Sequence, residues 1–283
     1  MKDFKTAIES SDIENIRKAS KGDLHNHSYL GGSRAIYKEL LGIEIPPSPA
    51  KMRDLVEMID WIQKFFNPHI NTAERFMLTK KAAFMQAKFD GVTVLEMSLE
   101  SQFIDKYKIP IEKFISTIEG YHAEVAPEMD FRPELSIGKQ LSPDEAYEIA
   151  APCIDSGYFR SLDLCGIEEQ RKSGEYKNIY KYAKSKGLKL KAHAGEFCSA
   201  DSIREAVEEL ELDEVNHGIT AVESKTIMKF LADNNIRLNV CPTSNVMLSR
   251  VESYDVHPAR VLYDNGIEIT INTDDVLLFA QGV

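Results

Sequence analysis

The sequence predicts an α/β fold, a closed parallel (β/α)8 barrel of the TIM type. Three observations predict it. Eight short apolar, strand-like runs recur along the 283 residues. Helix-like segments with caps and buried stripes separate them. No low-complexity or linker-like tract interrupts the pattern, so residues 1–283 read as one domain, a length common for a single α/β barrel.

Composition narrows the function classes. Hydrophobic residues make up 43% and charged residues 28%, which suits a globular protein with a sizeable core. The 45 acidic residues outnumber the 34 basic ones, giving a net charge of −11. A polyanion such as nucleic acid is not the expected partner, because binding its backbone requires a basic face. No apolar run is long enough to span a membrane, and the first residues show no apolar signal core. Cys153, Cys165, Cys198 and Cys241 lack C-x-x-C spacing and read as reduced thiols, so a cytoplasmic location is expected.

Taken in order, residues 3–19 have a mostly polar helical pattern. Residues 21–27, Lys-Gly-Asp-Leu-His-Asn-His, form the first strand. A loop with two glycines follows, then a short helix over 34–41, ended by Gly42 and the pair Pro46-Pro47. Ser48-Pro49 reads as a cap with proline at the first helical position. Met52, Leu55, Ile59, Ile62 and Phe66 keep the spacing of a buried stripe in the helix that follows. Residues 28–70 are thus an insertion after the first strand, expected to form a helical lid. A capping box at Asn71–Glu74 opens a helix to about Lys88.

Beyond it, strands are expected at 92–97, 131–137, 159–164, 188–193, 213–217, 236–240 and 267–272. Helices are expected between them, over 110–125, from the capping box Ser142–Glu145 to Gly157, and over 176–185 and 199–210. Two more run from a cap at Thr220–Glu223 to about Asn234, and over 257–265. The sequence ends soon after the eighth strand, so the eighth outer helix is missing from the pattern. The side of strands 8 and 1 is then expected to be covered by the N-terminal helix or by another subunit, through which an oligomer would form.

In such a barrel, active groups sit at the C-terminal ends of the strands. His25 and His27, two apart on a strand, leave the same face. Other strand ends carry Asp163-Leu-Cys-Gly166, His193-Ala-Gly-Glu196, Asn216-His217, Cys241–Asn245 and Asn272-Thr-Asp274-Asp275. Four of the seven histidines therefore meet at one mouth. His25, His27, His193 and Asp274 are the best-placed set for a divalent ion of the zinc type. Such an ion lowers the pKa of its water to about 7 and supplies hydroxide for attack on an electrophilic carbon. Glu196 suits a proton shuttle, or else a cap of the following helix. His217 suits orientation of the attacking water, or else a satisfied core histidine. Asp275 is free to accept a hydrogen bond from substrate, or to orient a ligand histidine. His69, His122 and His257 read as surface residues. Cys165 and Cys241 lack a base partner and read as small packing residues.

His25-x-His27, His193-Ala-Gly-Glu196, His217-Gly218, Cys241-Pro-Thr-Ser-Asn245 and Asn272-Thr-Asp-Asp275, in this order, resemble the adenosine deaminase family of the amidohydrolase superfamily. The likeness spans residues 21–279. It implies a zinc-dependent metal-binding barrel, a hydrolase that removes the 6-amino group of a purine as ammonia, adenosine to inosine by default. It also implies roles. His25, His27, His193 and Asp274 would hold zinc, Glu196 would protonate the ring nitrogen beside the attacked carbon, and His217 would hold the water. Asp274 would help take the water's proton. Asp275 would bond the imidazole part of the purine, and the Gly166 backbone the pyrimidine part. Residues 34–66 match the family's lid helices.

Two departures bear on substrate. The family's Leu-Asp-Gly after His-x-His, whose Asp contacts ribose, is replaced here, with Tyr29 at the Asp position. Arg34 has a planar fork suited to a phosphate or carboxylate on a different purine. Asn216 stands where the family has Gly. The alternatives are thus a deaminase of adenine, of a modified or phosphorylated adenosine, or of another aminated heterocycle. A third reading is a non-catalytic purine- or metal-binding barrel.

Overall fold

A computed structural model describes residues 4–282; the outermost residues of the expected 1–283 span, and the start of the 3–19 helix, lie outside the described residues. Eight parallel strands form one sheet in sequence order: β1 (Lys21–His27), β2 (Val92–Glu100), β3 (Asp130–Gly138), β4 (Ser161–Cys165), β5 (Lys189–Ala194), β6 (Glu214–His217), β7 (Arg237–Val240) and β8 (Ile269–Ile271). The ring closes at its C-terminal rim. Asn26 of β1 bridges to Asp274 just past β8, and the Asp274 N–H donates to the His25 carbonyl at 3.0 Å. The expected barrel is present.

Side-chain alternation explains the layering. Leu95, Met97, Leu99, Leu135, Ile137, Leu162, Leu164, Leu190, Val215, Leu238 and Val240 are buried in the apolar core. Between them in sequence stand buried polar residues that meet inside the ring. Lys191 of β5 has no exposed surface. Its ammonium contacts Glu96 of β2, Glu134 of β3 at 2.8 Å and Glu214 of β6 at 3.6 Å. One cation therefore ties four strands across the barrel axis.

Several helix boundaries differ from expectation. The 3–19 segment is two helices, Phe4–Glu9 and Ile13–Lys18, split where Asp12 caps the second by accepting from the Asn15 N–H. The helix expected after Ser48-Pro49 begins only at Leu55, capped by Asp54. The intervening residues spend their hydrogen-bonding groups elsewhere: the Met52 N–H donates to the Met247 carbonyl, and the Ser48 hydroxyl to the Leu278 carbonyl. Tertiary pairing overrides the local signal. Thr72, not Asn71, caps the helix Ala73–Asp90. Thr220 lies in a 3-10 turn, and Ser224 caps Lys225–Asp233. The capping box at Ser142 and Glu145 forms as expected.

The outer side of β8 is thinly covered, with Ile269 half-buried and Ile271 48% exposed. Part of the N-terminal segment has its packing partner elsewhere. The segment's second half packs beside the 73–90 helix, with Arg17 over the Phe89 ring at 4.4 Å. Among the described residues, no helix is long and apolar enough to cross a membrane.

Removing the central cation leaves three carboxylates buried together. Lys191→Met is expected to cost about 3–5 kcal/mol, the range for breaking a buried charge network. The check is the urea midpoint at constant slope; an unchanged midpoint would show that the network carries no stability.

Candidate active site

A cavity of about 530 Å³ opens at the C-terminal rim. Strand ends supply its floor and the 55–65 helix supplies an apolar wall, through Leu55, Met58, Ile59 and Ile62. His27, His193, Glu196, His217, Asp274 and Asp275 all line it. So do Gly166 and Tyr29, whereas Arg34 is not a lining residue. Arg34 stands at the first position of the helix Arg34–Leu41 and is half-buried there, outside the residues that line the cavity.

His25, His27 and His193 bring one nitrogen each within 4.8 Å of one another. Asp274 Oδ1 lies 3.5 Å from His27 Nε2 and 3.9 Å from His25 Nε2. A cation with bonds of about 2.1 Å in a tetrahedral site needs ligand atoms roughly 3.4 Å apart, so the set fits. Both ring nitrogens of His25 are buried with no hydrogen-bond partner among the described residues. An orphaned buried imidazole of this kind is costly unless something coordinates it. Burial, reinforced by the neighbouring histidines, holds His25 well below the usual histidine pKa, so it presents a free lone pair.

His193 differs. Burial opposes its charge, but the Asp163 carboxylate, 3.1 Å from Nδ1, outweighs burial and raises the imidazole to about 9. A carboxylate on one nitrogen fixes the ring and makes the other a stronger ligand. Asp163 is itself held by the Asn216 amide, which donates to Oδ1 at 2.9 Å and in turn accepts from Asn239. Asn216 is thus a buried strut beneath His193.

Glu196 is carried on the loop after β5, whose turn at Gly195 has φ +68° and leaves no room for a Cβ beside Ile203. Glu168 clamps this loop, accepting from the backbone N–H groups of Gly195, Glu196, Phe197 and Cys198 at 2.8–3.2 Å. Burial, with Asp274 and Glu168 nearby, pushes the Glu196 carboxyl well above its usual range, which favours its acid form. Its side chain faces the cavity, and Ser199 takes the cap position of the next helix. His217 Nε2 lies 3.5 Å from Glu196 Oε2 and 4.0 Å from Asp274 Oδ2. Burial keeps His217 neutral. His217 and Asp274 both adopt positive φ, +66° and +59°, a strained conformation that tends to persist at functional sites.

Asp275 lines the cavity with Oδ1 buried and unpartnered among the described residues. Burial and then Asp274 and Glu100 raise its carboxyl well above the usual range. Tyr29 forms an aromatic wall, stacked on Phe103 with centroids 4.8 Å apart, and its hydroxyl donates to Asn67 Oδ1 at 2.7 Å.

Sequence reasoning missed several site residues. Glu100 lines the cavity and is paired at 2.6 Å with the fully buried Lys80. Glu168, Asp163 and Asn245 support the site from behind. His69, His122 and His257, expected at the surface, are half-buried. His122 bonds the Met129 carbonyl, and His257 bonds Asn245. Carboxylates at the ends of β2 and β4 were a usable signal for Glu100 and Asp163.

The profile of the adenosine deaminase family matches residues 45–283. The chain belongs to the adenosine deaminase family. It is similar to a putative adenosine/adenine deaminase of Treponema pallidum (strain Nichols), 36% identical over 269 residues, covering 95% of this chain and 90% of that protein. With these relatives it is a hydrolytic deaminase. Three solved structures share the fold. An adenine deaminase from Arthrobacter aurescens superposes with a TM-score of 0.78 at 23% identity, over 90% of this chain and 81% of that one. An N6-methyl-AMP deaminase from Arabidopsis thaliana gives 0.80 at 17%, over 95% and 85%. A zinc-bound amidohydrolase from Burkholderia ambifaria gives 0.80 at 19%, over 96% and 80%.

If Asp163 sets the ligand strength of His193, Asp163→Asn is expected to weaken metal binding about 10–100-fold. Competition with a chromogenic chelator measures this; wild-type affinity in the variant would refute the link.

Proposed function

We propose that the chain is a zinc-dependent deaminase of an uncharged 6-aminopurine, converting adenosine to inosine or adenine to hypoxanthine with release of ammonia. The observation that carries this reading is a buried Glu196, its carboxyl raised well above the usual range, on the same cavity as the His25, His27 and His193 cluster with Asp274 beside it. His25, His27, His193 and Asp274 would hold the ion, which, when bound, supplies hydroxide near neutral pH.

The chain's own groups do the rest. Glu196 gives its proton to the purine ring nitrogen beside the amino-bearing carbon, which makes that carbon electrophilic. His217, neutral and within reach of Glu196 and Asp274, orients the attacking oxygen. Asp274 takes up the proton released on attack and passes it to the amino group, which leaves as ammonia when the C–N bond breaks. Asp275 Oδ1 accepts a hydrogen bond from the imidazole side of the purine if that nitrogen is protonated, or donates to it if the raised pKa keeps the acid form. The Gly166 backbone lies along the same wall and is the partner for the pyrimidine edge. The apolar 55–65 helix excludes water, as a lid would.

Charge favours a neutral substrate. Among the described residues lining the cavity there is no Lys or Arg, while Glu100, Glu196, Asp274 and Asp275 are all present. No side-chain cation lines the cavity to receive a 5′-phosphate. Tyr29 supports the free base as a second reading: its hydroxyl is committed to Asn67, so it offers an aromatic surface rather than a carboxylate for ribose.

Three outcomes follow for the zinc-loaded protein. Adenosine or adenine should show the ultraviolet change to the hypoxanthine chromophore, with AMP at least about tenfold poorer in kcat/KM; AMP as the best substrate would overturn the charge argument. Glu196→Gln should retain zinc and lose about 10²–10⁴-fold in kcat, and near-wild-type turnover would remove Glu196 as the acid. Because the acid form of Glu196 is the working one and burial raises its pKa, kcat/KM should persist above the usual carboxylate range and fall as rising pH ionises the carboxyl. A fall on acidification through neutrality, with zinc retained, would contradict it.

A further inference from the structure

We infer that His257 is a positioning residue that sets the protonation pattern of His217 and Glu196 through the amide of Asn245. The inference rests on the deaminase reading above, and no role for His257 in that chemistry has been used so far.

The argument follows hydrogens. His257 Nδ1 accepts from the backbone N–H of Ala259 at 3.1 Å, so that nitrogen carries a lone pair. The proton of the neutral ring is therefore on Nε2. Nε2 faces Asn245 Oδ1 at 3.2 Å and donates to it. A flipped Asn245 amide would set N–H against N–H there, so the imidazole fixes the amide in one orientation. Asn245 is fully buried. Its backbone is pinned as well: its N–H donates to the Cys241 carbonyl, and its carbonyl accepts from the N–H groups of Arg250 and Val251.

With Oδ1 held by His257, both amide hydrogens point at the catalytic pair. Asn245 Nδ2 lies 3.3 Å from Glu196 Oε1 and 3.3 Å from His217 Nδ1. Two consequences follow from donor and acceptor counting. His217 Nδ1 must be the bare nitrogen, so Nε2 carries the proton and points between Glu196 Oε2 and Asp274 Oδ2, where an attacking oxygen would sit. Glu196 Oε1 is an acceptor, which leaves Oε2, the oxygen on the His217 side, as the one to carry a proton. A single imidazole outside the reacting groups thus selects one of two tautomers and one of two carboxyl oxygens.

The test has a readout independent of turnover. Nitrogen-15 chemical shifts of the histidine rings distinguish a bare from a protonated nitrogen. In ¹⁵N-histidine-labelled protein, His217 is expected as the Nε2–H form, and in Asn245→Leu this preference should be lost. A wild-type His217 protonated on Nδ1 would overturn the inference whether or not the protein deaminates anything. Kinetics then isolate His257. With zinc content matched, His257→Leu should lower kcat about 10–100-fold, as loss of an orienting partner does, while KM changes little. His257→Gln, which returns an N–H near the position of Nε2, should recover most of that loss. Wild-type kcat in His257→Leu, or a Gln variant as impaired as the Leu variant at matched zinc content, would refute the role.

Discussion

The buried ammonium of Lys191 is the constraint on which the barrel and its site depend. A charge with no exposed surface tolerates only an environment of opposite charge, and here Glu96, Glu134 and Glu214 provide it on three other strands. Such a network is weak evidence for net stability, since a well-packed apolar substitute can match it. Its stronger effect is on register. Side chains alternate with a period of two, so a one-residue slip of β5 would drive Lys191 into the apolar outer layer. His193 stands two residues further along the same strand. The interaction that keeps Lys191 inside therefore also keeps the His193 imidazole at the mouth. β1 obeys the same logic, with Asp23, His25 and His27 on one face above the barrel floor. Burial raises the Asp23 carboxyl to about 7, even with Thr273 and Asn26 donating to it.

The rim divides its titratable groups by environment. His25 and His217 are neutral because nothing offsets their burial. His193 is the exception because Asp163 reaches its Nδ1. Glu196 and Asp275 are pushed toward their acid forms by burial and neighbouring carboxylates. A pocket containing one strongly basic imidazole, neutral imidazoles and carboxyls of raised pKa can hold a cation and still keep an acid available, which is the separation that hydrolytic removal of an amino group needs.

The sequence made the barrel legible because strands and helices repeat with clear punctuation. The 21–27 strand matches its structural bounds, and the capping box at Ser142 marks its helix start correctly. Residues at strand ends were likewise readable as a site, because strand position alone dictates which mouth they share. What could not be read were partnerships. Asp163 and His193 are 30 positions apart, Lys80 and Glu100 sit on different elements, and Asn245 lies in a short helix, Pro242–Met247, that the reading passed over as a strand end. A lone sequence displays residue types but not which of them meet. The misplaced start of the 55–65 helix has the same origin: local cap signals at Ser48-Pro49 were sound, yet contacts with residues 247 and 278 claimed that backbone first.

Glu168 has a consequence beyond holding a loop. Its two oxygens fill a cradle of four consecutive amides, the kind of concavity that elsewhere receives phosphate or sulfate. The protein has installed its own anion there, from the segment after β4. The same negative charge that seats the loop also discourages ionisation of Glu196 upon it. Placement and acidity of the Glu196 carboxyl are thereby welded to one side chain, so drift in the β4 segment cannot retune one property while sparing the other.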